Sequence, residues 1–318
     1  MHDSIDTQRR RLLSGGAALA ASAWLVPLAQ AVEDSKDGRS RLVMLGTAGG
    51  PTPKASRAAP AQALVVDGVV YVIDCGNGVA RQMALAGINL GALRHVFITH
   101  HHSDHNADLG NLLLLAWSGN LTSPVHCWGP PPLAAMRELF LQLNDYDIQT
   151  RIKDEGRAPL ADLFRTHEIT SSSVVMQDER ITVTAALVDH PPVVPAFAYR
   201  FDCPDRSLVF SGDTAPCEAL VMLAKGADVL VHEVMYLPAL EKVIASEPDA
   251  GRLREHLLAS HTTTEQVGRI ATEAGVKTLV LSHFVPGGDP ALTEEVWRDA
   301  VAPYFKGELV IARDLMAL

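Results

Sequence analysis

The stretch His95-Val96-Phe97-Ile98-Thr99-His100-His101-His102-Ser103-Asp104-His105 joins an apolar run to four imidazoles and one carboxylate. The run reads as a buried strand and the His cluster as the loop at its C-terminal end. Residues two apart at a strand end point the same way, so His100 and His102 can grip one metal ion. Neutral imidazole and carboxylate are ligands that zinc and similar divalent metals accept. Asp104 and His105 follow where the loop turns into a helix expected over 106–117, placed to serve a second metal. The alternative is a His-rich surface tract, and the strand–loop–helix setting argues against it.

The pattern outside this stretch is an alternation of strands and helices. Asp67-Gly68 between two apolar runs is a strong hairpin signal. A helix is expected over 78–86, ending at Gly87. A strand over 125–128 closes at Gly129-Pro130-Pro131-Pro132, and 133–143 has apolar residues at helical spacing. Residues 144–156 are polar and charged, and are expected to cover the site as a loop or short helix. In the second half, 181–188 alternates as a strand and ends at Asp189-His190. Further strands are expected over 196–201, 207–210, 228–231, 277–281 and 308–312. Helices are expected over 219–225, 264–274 and 293–301, with Thr262 or Thr263 as N-cap of the second. Such alternation predicts an α/β fold of two sheets face to face with helices outside.

The chain has 318 residues, 47% hydrophobic and 20% charged, enough for a large core in one domain of two halves or two small domains. It starts with Arg9-Arg10-Arg11, a mildly apolar stretch to Ala29, and the small-x-small element Ala29-Gln30-Ala31. This reads as a twin-arginine-type signal over 1–31, followed by a flexible leader over 32–40 and a single domain over 41–318. The protein is expected to be periplasmic or secreted, with no stable membrane insertion after signal removal. The net charge of −10 becomes −11 without the three Arg and two Asp of residues 1–31. A basic stripe for a nucleic-acid backbone is not visible. The expected partner is therefore a small-molecule substrate and no nucleic acid, and a homodimer is left open. Of the four cysteines, Cys75 and Cys127 sit at apolar strand ends as small buried thiols. Packing is also the favoured role for Cys217, although it lies close enough to Asp213 to line the site.

The His cluster fits the signature His-x-His-x-Asp-His, and from there the chain resembles the metallo-β-lactamase superfamily. Leu42-Val43-Met44-Leu45-Gly46-Thr47-Ala48-Gly49 resembles the family's opening strand and turn, and Val72-Ile73-Asp74-Cys75-Gly76 its Asp-Cys-Gly turn. Val209-Phe210-Ser211-Gly212-Asp213-Thr214 resembles the strand carrying a bridging Asp. Val231-His232-Glu233, His261-Thr262-Thr263-Thr264-Glu265 and Leu281-Ser282-His283 follow in the order of the short exported ribonuclease Z and arylsulfatase-like branch. The resemblance implies a four-layer αββα sandwich of two mixed sheets.

By the same resemblance, His100, His102 and His190 hold one metal, Asp104, His105 and His283 the other, and Asp213 bridges them. Two Zn2+ are implied, with Mn2+ or Fe2+ able to substitute. The implied activity is a dinuclear hydrolase of a small ester (phosphodiester, aryl sulfate or lactone), with a hydroxide between the metals as nucleophile. Asp104 is also implied to take the proton of the attacking water. His261 would support the transition state or protonate the leaving group, and Glu233 would orient it. His232 reads as a core histidine and His101 as pointing away. His95, His126, His167 and His256 have no ligand-like context. A lactam or lactone ring opener is the second reading, with Arg57, Arg151 and Lys153 to inspect as an anion clamp. A non-catalytic metal-dependent binding protein is the third.

Overall fold

Successive side chains of a strand face opposite ways, and here both directions are apolar. Leu42 and Met44 face one layer while Val43 and Leu45 face another, and Tyr71 and Ile73 part from Val70 and Val72 in the same manner. Strands of this kind need cover on both faces, and that requirement sets the architecture. The computed structural model describes residues 40–246 and 251–318. The expected signal and leader lie outside these residues, Ser40 excepted.

The first sheet holds β1 Arg41–Gly46, β2 Ala61–Val66, β3 Val69–Ile73, β4 Leu93–Phe97, β5 Val125–Gly129 and β6 Phe164–Glu168, in that order. The first three are antiparallel and β3 to β6 are parallel. Asp67 (φ 49°) and Gly68 (φ 75°) make the tight β2–β3 turn. The second sheet holds β7 Ser173–Gln177, β8 Thr182–Val188, β9 Ala196–Asp202, β10 Ser207–Phe210, β11 Val229–Met235, β12 Thr278–Val285 and β13 Glu308–Ile311. Here β7 to β10 are antiparallel and β10 to β13 parallel.

Three apolar layers result. Tyr71, Phe97, Phe197, Tyr199 and Phe201 fill the space between the sheets. The helices Val79–Leu85 and Leu109–Ser118 cover the outer face of the first sheet. Glu218–Ala224, Thr264–Ala274 and Glu294–Val301 cover that of the second. This is the expected αββα sandwich. Thr263 caps Thr264–Ala274, its N–H donating to Gln266 Oε1 at 2.9 Å.

Two expectations need correction. The helix expected over 106–117 is broken into Ser103–Asn106 and Leu109–Ser118; between them Asp108 N leaves the helical ladder to donate to Cys75 O at 3.0 Å, and its carboxylate accepts from Gly78 N at 2.7 Å. Residues 144–156 do not cover the site. They form the helix Asp145–Glu155, which seats Ile148 and Ile152 in the core outside the first sheet. Among the described residues, no helix is long and apolar enough to cross a membrane.

Candidate metal centre and active site

The parallel strands of both sheets end along one edge, and the polar residues that follow them meet there. Sheet-to-sheet hydrogen bonds hold the His loop in place: Tyr199 Oη donates to Ile98 O at 2.8 Å, and Phe197 N to Thr99 O at 2.9 Å. Thr99, His100, Asp104 and His105 are buried, His100 completely so, while His101 and His102 are half-buried.

His100, His102 and His190 form the first group. His102 Nδ1 lies 3.1 Å from both His100 Nε2 and His190 Nε2. The hydrogen bonds behind the rings settle their tautomers. Thr99 Oγ1 spends its proton on Asp74, at 3.0–3.1 Å, and so accepts from His100 Nδ1 at 3.0 Å. His190 Nδ1 donates to Ser260 O at 2.9 Å. Two neutral rings therefore aim unprotonated Nε2 atoms at the same point. Burial holds both rings neutral, pushing His100 well below the usual range and His190 down to about 4.

Asp104, His105 and His283 form the second group. His283 Nε2 lies 3.4 Å from Asp104 Oδ2, and His105 Nε2 lies 3.6 Å from the same oxygen. His283 sits in a bulge where β12 slips against β11, in the left-handed region at φ 45°. The bulge re-aims the ring from the sheet toward the site, a use bulges often have near active sites. Burial would raise the Asp104 carboxyl, but His105 and His283 beside it hold it down to about 2.

Asp213 stands between the groups. Its Oδ1 is 3.3 Å from His105 Nε2, and its Oδ2 is 3.1 Å from His283 Nε2 and 4.0 Å from His100 Nε2. Burial would raise this carboxyl, yet His283 and His105 hold it well below the carboxylate range. Gly212 before it adopts φ 59°. Its α-carbon packs so closely that a β-carbon would lie 2.8 Å from Phe197 O.

His105 Nε2 and Asp213 Oδ1 are buried with no hydrogen-bond partner. Donor atoms of His100, His102, His190 and Asp213 lie within 4.8 Å of one another, as do those of Asp104, His105 and His283. The chemistry of both sets fits divalent metal ions.

Sequence reasoning assigned no role to Asp74. Its Oδ2 accepts from His105 Nδ1 at 2.7 Å and its Oδ1 from Thr99 N at 2.8 Å, so it orients both the ring and the loop. It adopts φ 58° at the end of β3. The Asp-Cys-Gly turn was the available signal.

Glu233, at 2% exposure, accepts from Thr214 N at 2.7 Å and from His261 Nδ1 at 2.8 Å. Burial would lower His261, but the Glu233 carboxylate overrides it and raises the ring to about 9. His232 donates from Nδ1 to Glu233 O at 2.7 Å, while its buried Nε2 has no partner. His101 turns away to Pro130 O, 2.7 Å distant.

A cavity of 690 Å³ opens above Asp104, Asp213, His261 and His283. Val243, Leu253, Leu257 and Val285 give it an apolar lining, and Lys54 and Lys242 also line it. Lys242 Nζ pairs with Asp289, also in the lining, at 2.7 Å. His256, read from the sequence as having no ligand-like context, also lines the cavity. The anion-clamp candidates Arg57, Arg151 and Lys153 do not line it. Arg57 instead donates to Thr47 and Ala312 and lies over the Phe284 ring, and Arg151 pairs with Asp147 and Glu155. Cys217 packs against the outer core of the second sheet, and all four cysteines are free.

The family profile "Beta-lactamase superfamily domain" matches residues 69–284. The chain belongs to the metallo-β-lactamase-fold hydrolases, in their ribonuclease Z-like branch. Ribonuclease Z of Mycobacterium bovis (strain BCG) is 34% identical over 277 residues, covering 86% of this chain and 96% of its own. Among solved structures, the metallo-beta-lactamase fold protein YhfI of Bacillus subtilis aligns with TM-score 0.65 at 19% identity, covering 88% of this chain and 99% of its own. The short form of human tRNase Z aligns with TM-score 0.64 at 22% identity, covering 87% and 98%. These two support the fold alone.

Membership makes this hydrolase metal-dependent. It also overturns one expectation. The exclusion of nucleic acid rested on net charge, but relatives named ribonucleases align over 86% of the chain. Net charge describes the whole surface and does not by itself decide what one site accepts.

Proposed function

We propose that the protein is a dinuclear zinc phosphodiesterase. The observation that carries this reading is the place of Asp213 between two complete donor groups. His100, His102 and His190 would hold one metal, Asp104, His105 and His283 the other, with Asp213 shared. When bound, the two metals lower the pKa of a water and stabilise charge on the scissile group. The choice of a phosphodiester over an aryl sulfate or lactone is supported by relatives that bear the name ribonuclease, because RNA is joined by that bond.

The residues of the chain supply the proton traffic. An attacking water must lose a proton, and Asp104, ionised at neutral pH and facing the cavity, is placed to accept it. The leaving oxygen must gain one. His261 has Nδ1 engaged by Glu233, which leaves Nε2–H to donate into the cavity. Glu233 keeps that tautomer and stabilises the cation, as an orienting carboxylate does for a catalytic histidine.

The test is metal analysis of the purified protein with a panel of phosphodiester, aryl sulfate, lactone and cephalosporin chromogens and a single-stranded RNA. Two zinc ions per chain and fastest turnover of a phosphodiester are expected. Full activity with one tightly bound metal would remove the bridging role of Asp213. Turnover confined to the lactone or cephalosporin would remove the phosphodiesterase reading.

A further inference from the structure

Two histidines that line the cavity, His256 and His261, belong to neither donor group, and the proton traffic proposed above uses only His261. His256 lies on the helix Leu253–Ser260, half-buried, with its ring centroid 6.0 Å from His102, 6.1 Å from His190 and 5.8 Å from His261. It thus faces both the first donor group and the proton donor, on the cavity side of each.

Its tautomer follows from Ser260. The Ser260 hydroxyl has one proton and gives it to Pro191 O. Toward His256 Nδ1, 3.3 Å away, Ser260 Oγ can then only accept. The proton of the neutral ring is therefore on Nδ1, and Nε2 carries a lone pair. Among the described residues, Nε2 has no hydrogen-bond partner, and the ring borders the cavity. Ser260 also receives His190 Nδ1 through its carbonyl. One residue thereby orients both His190 and the neighbouring acceptor, which fixes their relative geometry.

An acceptor so placed calls for a donor on the substrate within a few bonds of the scissile group. We propose that His256 is a specificity residue that accepts a hydrogen bond from a substrate hydroxyl vicinal to the ester oxygen. This deepens the phosphodiesterase reading and rests on it for the nature of the ester. A vicinal hydroxyl occurs in ribonucleotides, as the 2′-hydroxyl, and in glycerol phosphodiesters, and the recognising chemistry is the same for both. The apolar lining of Val243, Leu253 and Leu257 beside His256 would hold the base or the carbon skeleton of either.

The test is equilibrium binding to the metal-loaded protein of two matched pairs. One pair is a ribonucleoside 3′-monophosphate and its 2′-deoxy counterpart; the other is glycerol 1-phosphate and 3-hydroxypropyl phosphate, which lacks only the vicinal hydroxyl. Hydrolysis of the corresponding diesters is measured in parallel. In one pair the hydroxyl-bearing member should bind roughly 3–10-fold more tightly, the range of one neutral hydrogen bond, and the pair that discriminates identifies the source. His256→Ala and the ring-preserving His256→Phe should both abolish the preference while zinc content stays unchanged. His256→Gln, which retains an acceptor, should keep part of it. No preference in either pair, a preference that survives both variants, or zinc lost with His256 would each overturn the proposal. Preference in binding without cleavage of any phosphodiester would remove the phosphodiesterase reading and leave the His256 contact standing; cleavage without preference would do the reverse.

Discussion

Glu233 Oε2 accepts from His261 Nδ1 at 2.8 Å, and both side chains are withdrawn from solvent, at 2% and 6% exposure. A buried pair of this kind holds the imidazole in one tautomer and one orientation. Under the proposed proton-donor role, His261→Ala should slow turnover by about 10²–10³, the usual loss on removing one donor to transition-state charge. Zinc content should be unchanged. Glu233→Gln should give a weaker version of the same loss. A ligand role for His261 would appear as lost zinc, and a purely structural role as a lower melting temperature with normal turnover.

Asp74→Asn should weaken metal binding by roughly 10–100-fold, because the carboxylate that accepts from His105 Nδ1 would be replaced by an amide. The defect should be partial, with one metal lost before the other. Competition against a chromogenic chelator measures both affinities. Equal loss of both metals would show that Asp74 supports the loop as a whole through Thr99 and does not act chiefly on His105.

Gly212→Ala should destabilise the fold by about 1–3 kcal/mol, the cost of a strained backbone position. The new β-carbon would lie 2.8 Å from Phe197 O and 2.9 Å from Thr99 Cβ at a φ of 59°. Because Asp213 is the next residue, zinc content should fall as well. Denaturant melts with zinc analysis on the same sample check both outcomes, and retained stability would mean that the loop can move aside.

Stability should fall on the acid side. His95 stacks on Tyr71 at 5.2 Å and is lowered from 6.5 to about 4, first by burial and then by His126. A histidine lowered on folding contributes its full stability above its unfolded pKa. That contribution is lost as pH falls from 6.5 toward 4, where only the unfolded chain gains the proton. His95→Phe keeps a ring in the stack and removes the titration. Its melting temperature should therefore drop less over this window than that of the wild type. An equal drop in both proteins would assign the acid sensitivity to other groups, His232 among them, which is also lowered to about 4 by burial.

Removal of the metals by a chelator should abolish turnover and lower the melting temperature, since ligands that bind only the folded chain stabilise it. Added zinc should restore both. Activity that persists without metal would end the hydrolase mechanism derived above.

Local pattern was sufficient for much of this molecule. His100 and His102 share a face because they lie two apart at the end of a strand, and that follows from backbone geometry alone. The αββα layers follow from strands that are apolar on both faces, which no single-sided packing can satisfy. What could not be read locally depends on distant segments meeting. Asp74 acts on His105 only because β3 and β4 pair in parallel, and His283 enters the site only through the slip of β12 against β11. Residues 144–156 looked like a lid because they are polar, yet two isoleucines one helical turn apart were enough to seat them on the core. His256 has no neighbour in sequence that marks it. Its position beside His190 is set by Ser260, whose carbonyl and hydroxyl face different partners only once the helix Leu253–Ser260 is packed against the end of β8. Composition, period and spacing thus determined the layers and the His loop, while the orienting and cavity-facing residues were decided by tertiary packing, because His105, His190 and His261 meet their partners 31, 70 and 28 residues away in the chain.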